Sequence, residues 1–262
     1  MVRLAGKFAL ITGGSSGIGL ATAKAFVANG ARVAITGRDQ KTLDAAKEAI
    51  DGDHLAFKCD AANLTEIDKL YAAIKERFGA LDIIFGNAGV ADSSPMEEVT
   101  EQDFDRLFNV NVNGVFFTVQ KGLPLLRRGA SIILNASIAP RMGRAGLSLY
   151  SASKAAVRTF ARNFSSEFVS RGFRVNVVSP GSIRTPAWSR LIKDPATFEA
   201  TMRVVGSDIP QGRLGTPEEI ANVVLFLASD ESSYLLGAEI TVDGGATEMR
   251  TASAFREGNL TS

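Results

Sequence analysis

Tyr150 and Lys154 stand four residues apart in the run Tyr150-Ser151-Ala152-Ser153-Lys154, thirteen residues after Ser137. On a helix, positions i and i+4 share a face, so a phenol and an ammonium would look into one pocket. A free tyrosine titrates near pH 10. A cation about 4–6 Å away in a partly solvated site contributes roughly 3–4 kcal/mol, which predicts a tyrosine pKa lowered by about two to three units before desolvation takes some back. Tyr150 is therefore expected to exchange a proton near neutral pH. Ser137 ends an apolar run, where its hydroxyl could hold and polarise a carbonyl or an alcohol. Without a neighbouring base it is no nucleophile.

Upstream lies a glycine-rich turn, Thr12-Gly13-Gly14-Ser15-Ser16-Gly17-Ile18-Gly19. Between a first strand and a first helix, such a turn presents backbone N–H groups and a positive helix end, which suits a pyrophosphate. Gly13 would allow the tight turn, and Gly17 and Gly19 a close approach of backbone and helix. The spacing differs from the common G-x-G-x-x-G. The second strand ends Ile35-Thr36-Gly37-Arg38-Asp39, where an acidic side chain would grip a ribose 2′-hydroxyl. Gly37 occupies that place, and Arg38 beside it can pair with a 2′-phosphate. The expected cofactor is NADP(H) rather than NAD(H), and the chemistry of the set is hydride transfer.

The elements that must position these residues follow from alternating patterns. Short runs rich in Val, Ile, Leu and Phe predict strands at Phe8–Thr12, Arg32–Thr36, Leu55–Lys58, Asp82–Phe85, Ser131–Ala136, Arg174–Val178 and Glu239–Val242. Amphipathic periodicity between them predicts helices at Gly17–Asn29, Gln40–Ala49, Leu64–Phe78, Thr100–Leu126, Leu149–Arg171 and Pro217–Ala228, with Thr100 and Thr216 as N-caps. This alternation predicts a single α/β domain over residues 1–262, a Rossmann-like, doubly wound parallel sheet of about seven strands with helices on both faces. The segment Pro186–Leu214 breaks the rhythm and is expected to be a substrate lid, since ligands bind at the carboxyl edge of such sheets. The polar tail Thr247–Ser262 is expected to fray.

With 29 basic and 28 acidic residues the net charge is +1, which gives no electrostatic argument for nucleic acid or an anionic membrane. No apolar run approaches the roughly 20 residues of a membrane helix, and no secretory signal is seen, so a cytoplasmic protein acting on a small molecule is expected. One cysteine, Cys59, precludes an intrachain disulfide, and one histidine, His54, leaves little from which to build a metal site; none is expected. Both residues read as packing residues in a strand-like stretch. A hydrolase would need His54 itself, and no G-x-S-x-G elbow adjoins it.

Taken together, the chain resembles the short-chain dehydrogenases/reductases of compact, single-domain type over about residues 5–246. Thr12 to Gly19 is similar to that family's TGxxxGIG turn, and Tyr150 with Lys154 to its YxxxK pair. The resemblance implies four catalytic residues: Asn111 (positioning a water for proton relay through the lysine), Ser137, Tyr150 and Lys154. It implies a dinucleotide held by Gly13, Ser15, Ser16, Gly17, Ile18, Gly19, Gly37, Arg38, Asp60, Ala61, Asn87, Ala88, Gly89, Tyr150, Lys154, Pro180, Gly181, Ile183 and Thr185. Asp60 would lie beside the adenine ring and Thr185 at the nicotinamide carboxamide. Gly86 stands where the family more often has Asn, and Ser16 where some NADP-using members carry a basic residue, so NADP(H) rests mainly on Arg38. The resemblance also implies a homotetramer or homodimer. A ketone or aldehyde reductase is the leading expectation; a sugar or steroid alcohol dehydrogenase, a 3-oxoacyl reductase and a non-catalytic dinucleotide sensor or scaffold are the alternatives.

Overall fold

The computed structural model describes residues 2–249, without the side chains of Arg190 and Leu191. Seven parallel strands form one sheet in the order β3-β2-β1-β4-β5-β6-β7: β1 (Phe8–Ile11), β2 (Arg32–Gly37), β3 (Leu55–Lys58), β4 (Leu81–Gly86), β5 (Leu126–Asn135), β6 (Arg174–Pro180) and β7 (Glu239–Val242). The expected Rossmann-like doubly wound sheet is observed. Successive strand side chains point to opposite faces, so Leu10, Ile132 and Leu134 enter one apolar layer, whereas Ile11, Val33 and Ile133 enter the other.

Each layer is closed by helices. Ile67, Ile74, Val119, Val157 and Phe164 line the first layer, carried by α3 (Leu64–Phe78), α5 (Gly114–Gly122) and α6 (Ser148–Phe168). Phe26, Leu43 and Val224 line the second, carried by α1 (Gly17–Ala28), α2 (Gln40–Ala49) and α9 (Pro217–Ala228). Thr100 opens α4 (Glu101–Phe108) in a reciprocal capping box with Asp103, and Thr216 opens α9 in another with Glu219, each satisfying N–H groups that a helix start leaves orphaned. At the other end of α9, buried Arg174 donates to the carbonyls of Leu227, Ser229 and Ser232. A guanidinium thereby satisfies the open C-terminus.

Two expectations change and one segment, the expected lid, gains its secondary structure. The stretch Thr100–Leu126 is not one regular helix: it passes through a π turn at Asn109–Asn113 and a 3-10 turn at Leu123–Leu125, and Leu126 already opens β5. The segment after Thr185 is helical, as α7 (Pro186–Leu191) and α8 (Pro195–Ser207). Proline at each helix start fits because the missing N–H would be unpaired there anyway. His54 and Cys59 flank β3 rather than lying within it, and burial pushes the Cys59 thiol up to about 12. Most of the tail, residues 250–262, lies outside the described residues. No helix among the described residues is long and apolar enough to cross a membrane.

Candidate active site

Strand order reverses between β1 and β4, and an open α/β sheet offers its ligand crevice at such a point, outside the carboxyl ends of the strands. The turn after β1 lies there. Gly17 has φ +53°, a left-handed conformation that disfavours a side chain, and a Cβ built on it would stand 3.3 Å from Thr185 Cγ2. The turn after β1 and the loop after β6 thus face each other across the crevice. At Gly19 the approach is tighter, a Cβ falling 2.2 Å from the Gly13 carbonyl oxygen and 2.7 Å from Asn87 Nδ2. Ser16, at the N-cap of α1, makes no side-chain cap, and no acid stands in the first turn. The start of α1 therefore keeps its N–H groups and positive end for an anion.

The segment after β4 holds this turn in shape. Thr12 Oγ1 accepts from the amides of Asn87 and Ala88, both at 3.0 Å, and Asn87 Nδ2 donates to the carbonyls of Thr12 at 2.9 Å and Gly13 at 3.2 Å. The Asn87 side chain is thus committed to the turn itself. Gly37 ends β2 against Ser15, whose Oγ lies 2.7 Å from where a Cβ would stand. Asp39, the nearest acid, caps α2 by accepting from the Thr42 amide at 2.8 Å, and those bonds hold its carboxyl below its ordinary value. Arg38 is exposed. Asp60 accepts from the Ala62 amide, and the π turn approaches Ala61 so closely that a Cβ on Gly114 would lie 2.7 Å from the Ala61 carbonyl.

The acid–base residues gather beside it. Ser137 follows β5 and is buried, its Oγ accepting from the Ala139 amide at 3.1 Å. Ser151 ties the start of α6 to that loop by donating to the Ala139 carbonyl, which brings Tyr150 within hydrogen-bond reach of Ser137. Lys154, one helical turn on, is buried, and its Nζ donates to the Asn135 carbonyl at 2.8 Å. Asn111 is fully buried in the π turn: Nδ2 donates to the Val90 carbonyl and to Ser153 Oγ, and Oδ1 accepts from the Val90 amide. Single π turns of this kind recur at functional sites. Gly89 leaves room between these groups; a Cβ there would lie 3.2 Å from Asn111 Oδ1 and 3.4 Å from Lys154 Nζ.

The proton affinities correct the spacing argument. Burial pushes the Tyr150 hydroxyl above its ordinary value, and its bond with Ser137 draws it only part of the way back. Lys154 Nζ stands 5.9 Å from the Tyr150 ring centroid, and burial lowers the ammonium to about 8. Sequence spacing signals the neighbouring cation but not the desolvation of both groups, which disfavours each charged form.

Sequence and structure comparisons give the family. The sequence model described as enoyl-(acyl carrier protein) reductase matches residues 13–247. The chain belongs to the short-chain dehydrogenase/reductase family. It is 41% identical over 249 residues to the oxidoreductase asL5 of Sarocladium schorii, covering 94% of this chain and 98% of that one. It is 39% identical over 252 residues to an NADP-dependent (R)-specific alcohol dehydrogenase of Lentilactobacillus kefiri, covering 94% and 98%. The crystal structure of levodione reductase superposes with a TM-score of 0.88 at 32% identity, covering 95% of this chain and all of that one. As a short-chain dehydrogenase/reductase the protein is an oxidoreductase.

Within this family member, the residues singled out from sequence divide into two shells. Ser137, Tyr150 and Lys154 converge directly, and Asn111 joins them through Ser153. Gly13, Gly17, Gly19, Asn87 and Ala88 form the turn, with Thr185 opposite. Pro180 ends β6, and Gly181 packs against the turn after β7, a Cβ there falling 2.8 Å from Asp243 Cα. Ile183 lines a cavity of about 350 Å³ with Ser182, Gln211 and Arg213. Thr12 and Ser153 stand within the motifs read from sequence but with no role of their own, and Asn135 stands outside those motifs. Thr12 alone carried a local signal, as a hydroxyl at the end of the first strand.

Proposed function

We propose that the protein interconverts a carbonyl and an alcohol by hydride transfer with NADP(H), Tyr150 acting as general acid and base. The observation that carries this reading is the meeting of a buried ammonium, Lys154, with Tyr150 and Ser137 beside a glycine turn at the sheet's switch point. Lys154 has no carboxylate among its described partners, so its remaining protons suit neutral hydroxyls such as those of a ribose. The glycine turn and the free start of α1 fit a pyrophosphate; Arg38, with Asp39 occupied as a cap, fits a 2′-phosphate.

When bound, the cofactor supplies a hydride to the carbonyl carbon. Ser137 holds the carbonyl oxygen, and Tyr150 gives it a proton. A hydroxyl whose pKa lies above the working pH is protonated and ready for that role. The Lys154 ammonium offsets the phenolate charge that develops, and Asn111, fixed in its π turn, supports reprotonation through the lysine. We further read α7 and α8 as the substrate lid, tied down by the Arg184–Glu199 ion pair and by Trp188 Nε1 donating to the Ile183 carbonyl. Fully exposed Tyr234 and exposed Phe104 suit the homo-oligomer implied by family membership, and a cytoplasmic location fits a small-molecule oxidoreductase.

The test is NADPH or NADH consumption against a panel of ketones, aldehydes, sugars and oxoacyl thioesters, with substrate-dependent NADPH turnover expected. Preference for NADH would overturn the role of Arg38; tight binding without any turnover would favour the sensor. Arg38→Leu is expected to weaken NADPH binding by about ten- to a hundredfold, the loss of one charge-assisted contact, with NADH affinity unchanged in a fluorescence titration.

The pH profile follows from the buried ammonium. Lys154 keeps its proton below about 8 and loses it above, so reductive turnover should hold across neutral pH and fall as pH rises through about 8. Oxidation needs the phenolate of Tyr150, which burial disfavours, and should rise only at pH above the ordinary tyrosine range. A reductive profile that rises through pH 8 would exclude the ammonium from the mechanism.

A further inference from the structure

The side chain of Asn135, the last residue of β5, has no part in the chemistry described so far. Its orientation is nonetheless determined. Asn87 Nδ2 is held by two carbonyl acceptors, Thr12 and Gly13, so Asn87 must turn its Oδ1 the other way, where it accepts from Asn135 Nδ2 at 2.8 Å. That bond leaves Asn135 Oδ1 buried and without a partner among the described residues. The main-chain oxygen of the same residue accepts from Lys154 Nζ at 2.8 Å. One residue therefore joins the peptide groups of the glycine turn, through two side-chain amides, to the ammonium beside Tyr150.

An unpaired buried amide oxygen is destabilising, and an aliphatic residue at 135 would only exchange one for another, removing Asn135 Oδ1 and stranding Asn87 Oδ1. The amide therefore answers to Asn87 and the turn that Asn87 holds, while the main-chain oxygen of the same residue answers to Lys154. We propose that Asn135 is a positioning residue that couples the seating of a dinucleotide on the glycine turn to the placement of Lys154. This rests on the dinucleotide reading of the crevice.

The test is a fluorescence titration of the full chain with NADPH and with NADH, following whichever binds the parent more tightly. The variants are Asn135→Leu, Asn135→Ser, Lys154→Met and the double Asn135→Leu/Lys154→Met, each checked for folding by circular dichroism. Asn135→Leu is expected to weaken binding on the order of tenfold or more by stranding Asn87 Oδ1, with Asn135→Ser changing in the same direction. The double variant should lose less than the product of the two single losses, because residues acting through one another are not additive. Folded Asn135 variants within about twofold of the parent, or single losses that multiply in the double, would overturn the coupling. Loss of fold in both Asn135 variants, as a purely structural amide predicts, would also overturn it. A parent that binds neither dinucleotide would refute the cofactor reading, an outcome seen before any variant is made.

Discussion

Tyr150→Phe is expected to lower turnover by about 10²–10⁴-fold, the usual worth of a positioned general acid, with dinucleotide affinity within about twofold of the parent. The substitution removes one oxygen from a half-buried ring and leaves Ser137 fixed by the Ala139 amide and Lys154 by the Asn135 carbonyl. Binding and chemistry should therefore separate: kcat collapses while the titration curve stays in place. Residual turnover above roughly a tenth of the parent rate would assign the proton to another group. Loss of binding together with turnover would instead give the cofactor contact that the family resemblance implies for Tyr150 the larger share of its role.

Gly19→Ala attacks the other half of the crevice. Its Cβ would fall 2.2 Å from the Gly13 carbonyl oxygen, a main-chain atom with no rotamer to escape into, and 2.7 Å from the Asn87 amide that holds the turn. The turn must open. Overpacking of this kind destabilises by about 1–3 kcal/mol, and misaiming two N–H donors to an anion weakens binding on the order of a hundredfold or more. Thermal unfolding and dinucleotide titration check the two effects. Normal affinity in Gly19→Ala would place the pyrophosphate elsewhere.

The legibility of the molecule depended on how local each signal was. β4 reads as a strand from Ile83-Ile84-Phe85, with all six of its residues buried, Asp82 included, and α3 reads from its 3.6-residue period with Asn63 capping it. The π turn at Asn109–Asn113 left no trace in that period, since Val110 and Val115 continue the apolar face through it. β5 begins at Leu126, before the exposed Arg127 and Arg128, so its first residues look like a loop. The helix α7 is short, but Thr185-Pro186 and, before the longer α8, Asp194-Pro195 are start signals that could have been read. Tyr150, Lys154 and Ser137 were legible as types at fixed spacing. Asn135 and Ser153 were not, because their partners Asn87 and Asn111 stand 48 and 42 residues away and no periodicity encodes a side-chain bond of that reach.

The same reach sets an order of events during folding. Thr12 is made well before the amides its hydroxyl holds, which lie 75 and 76 residues further on, and β1 pairs with β4 across a similar interval. Contacts so distant in sequence form late and slowly, since loop closure must precede any gain from them. A nascent chain carrying only β1, α1 and β2 has every glycine of the turn and the bonds from the Gly13 and Gly14 amides to Thr36, but not the Asn87 side chain or the amides of Asn87 and Ala88 that complete it. Competence for an anion arrives with β4, and the ammonium arrives only after α6 has docked. Dinucleotide added during refolding should therefore leave the early collapse rate unchanged and slow only the unfolding limb.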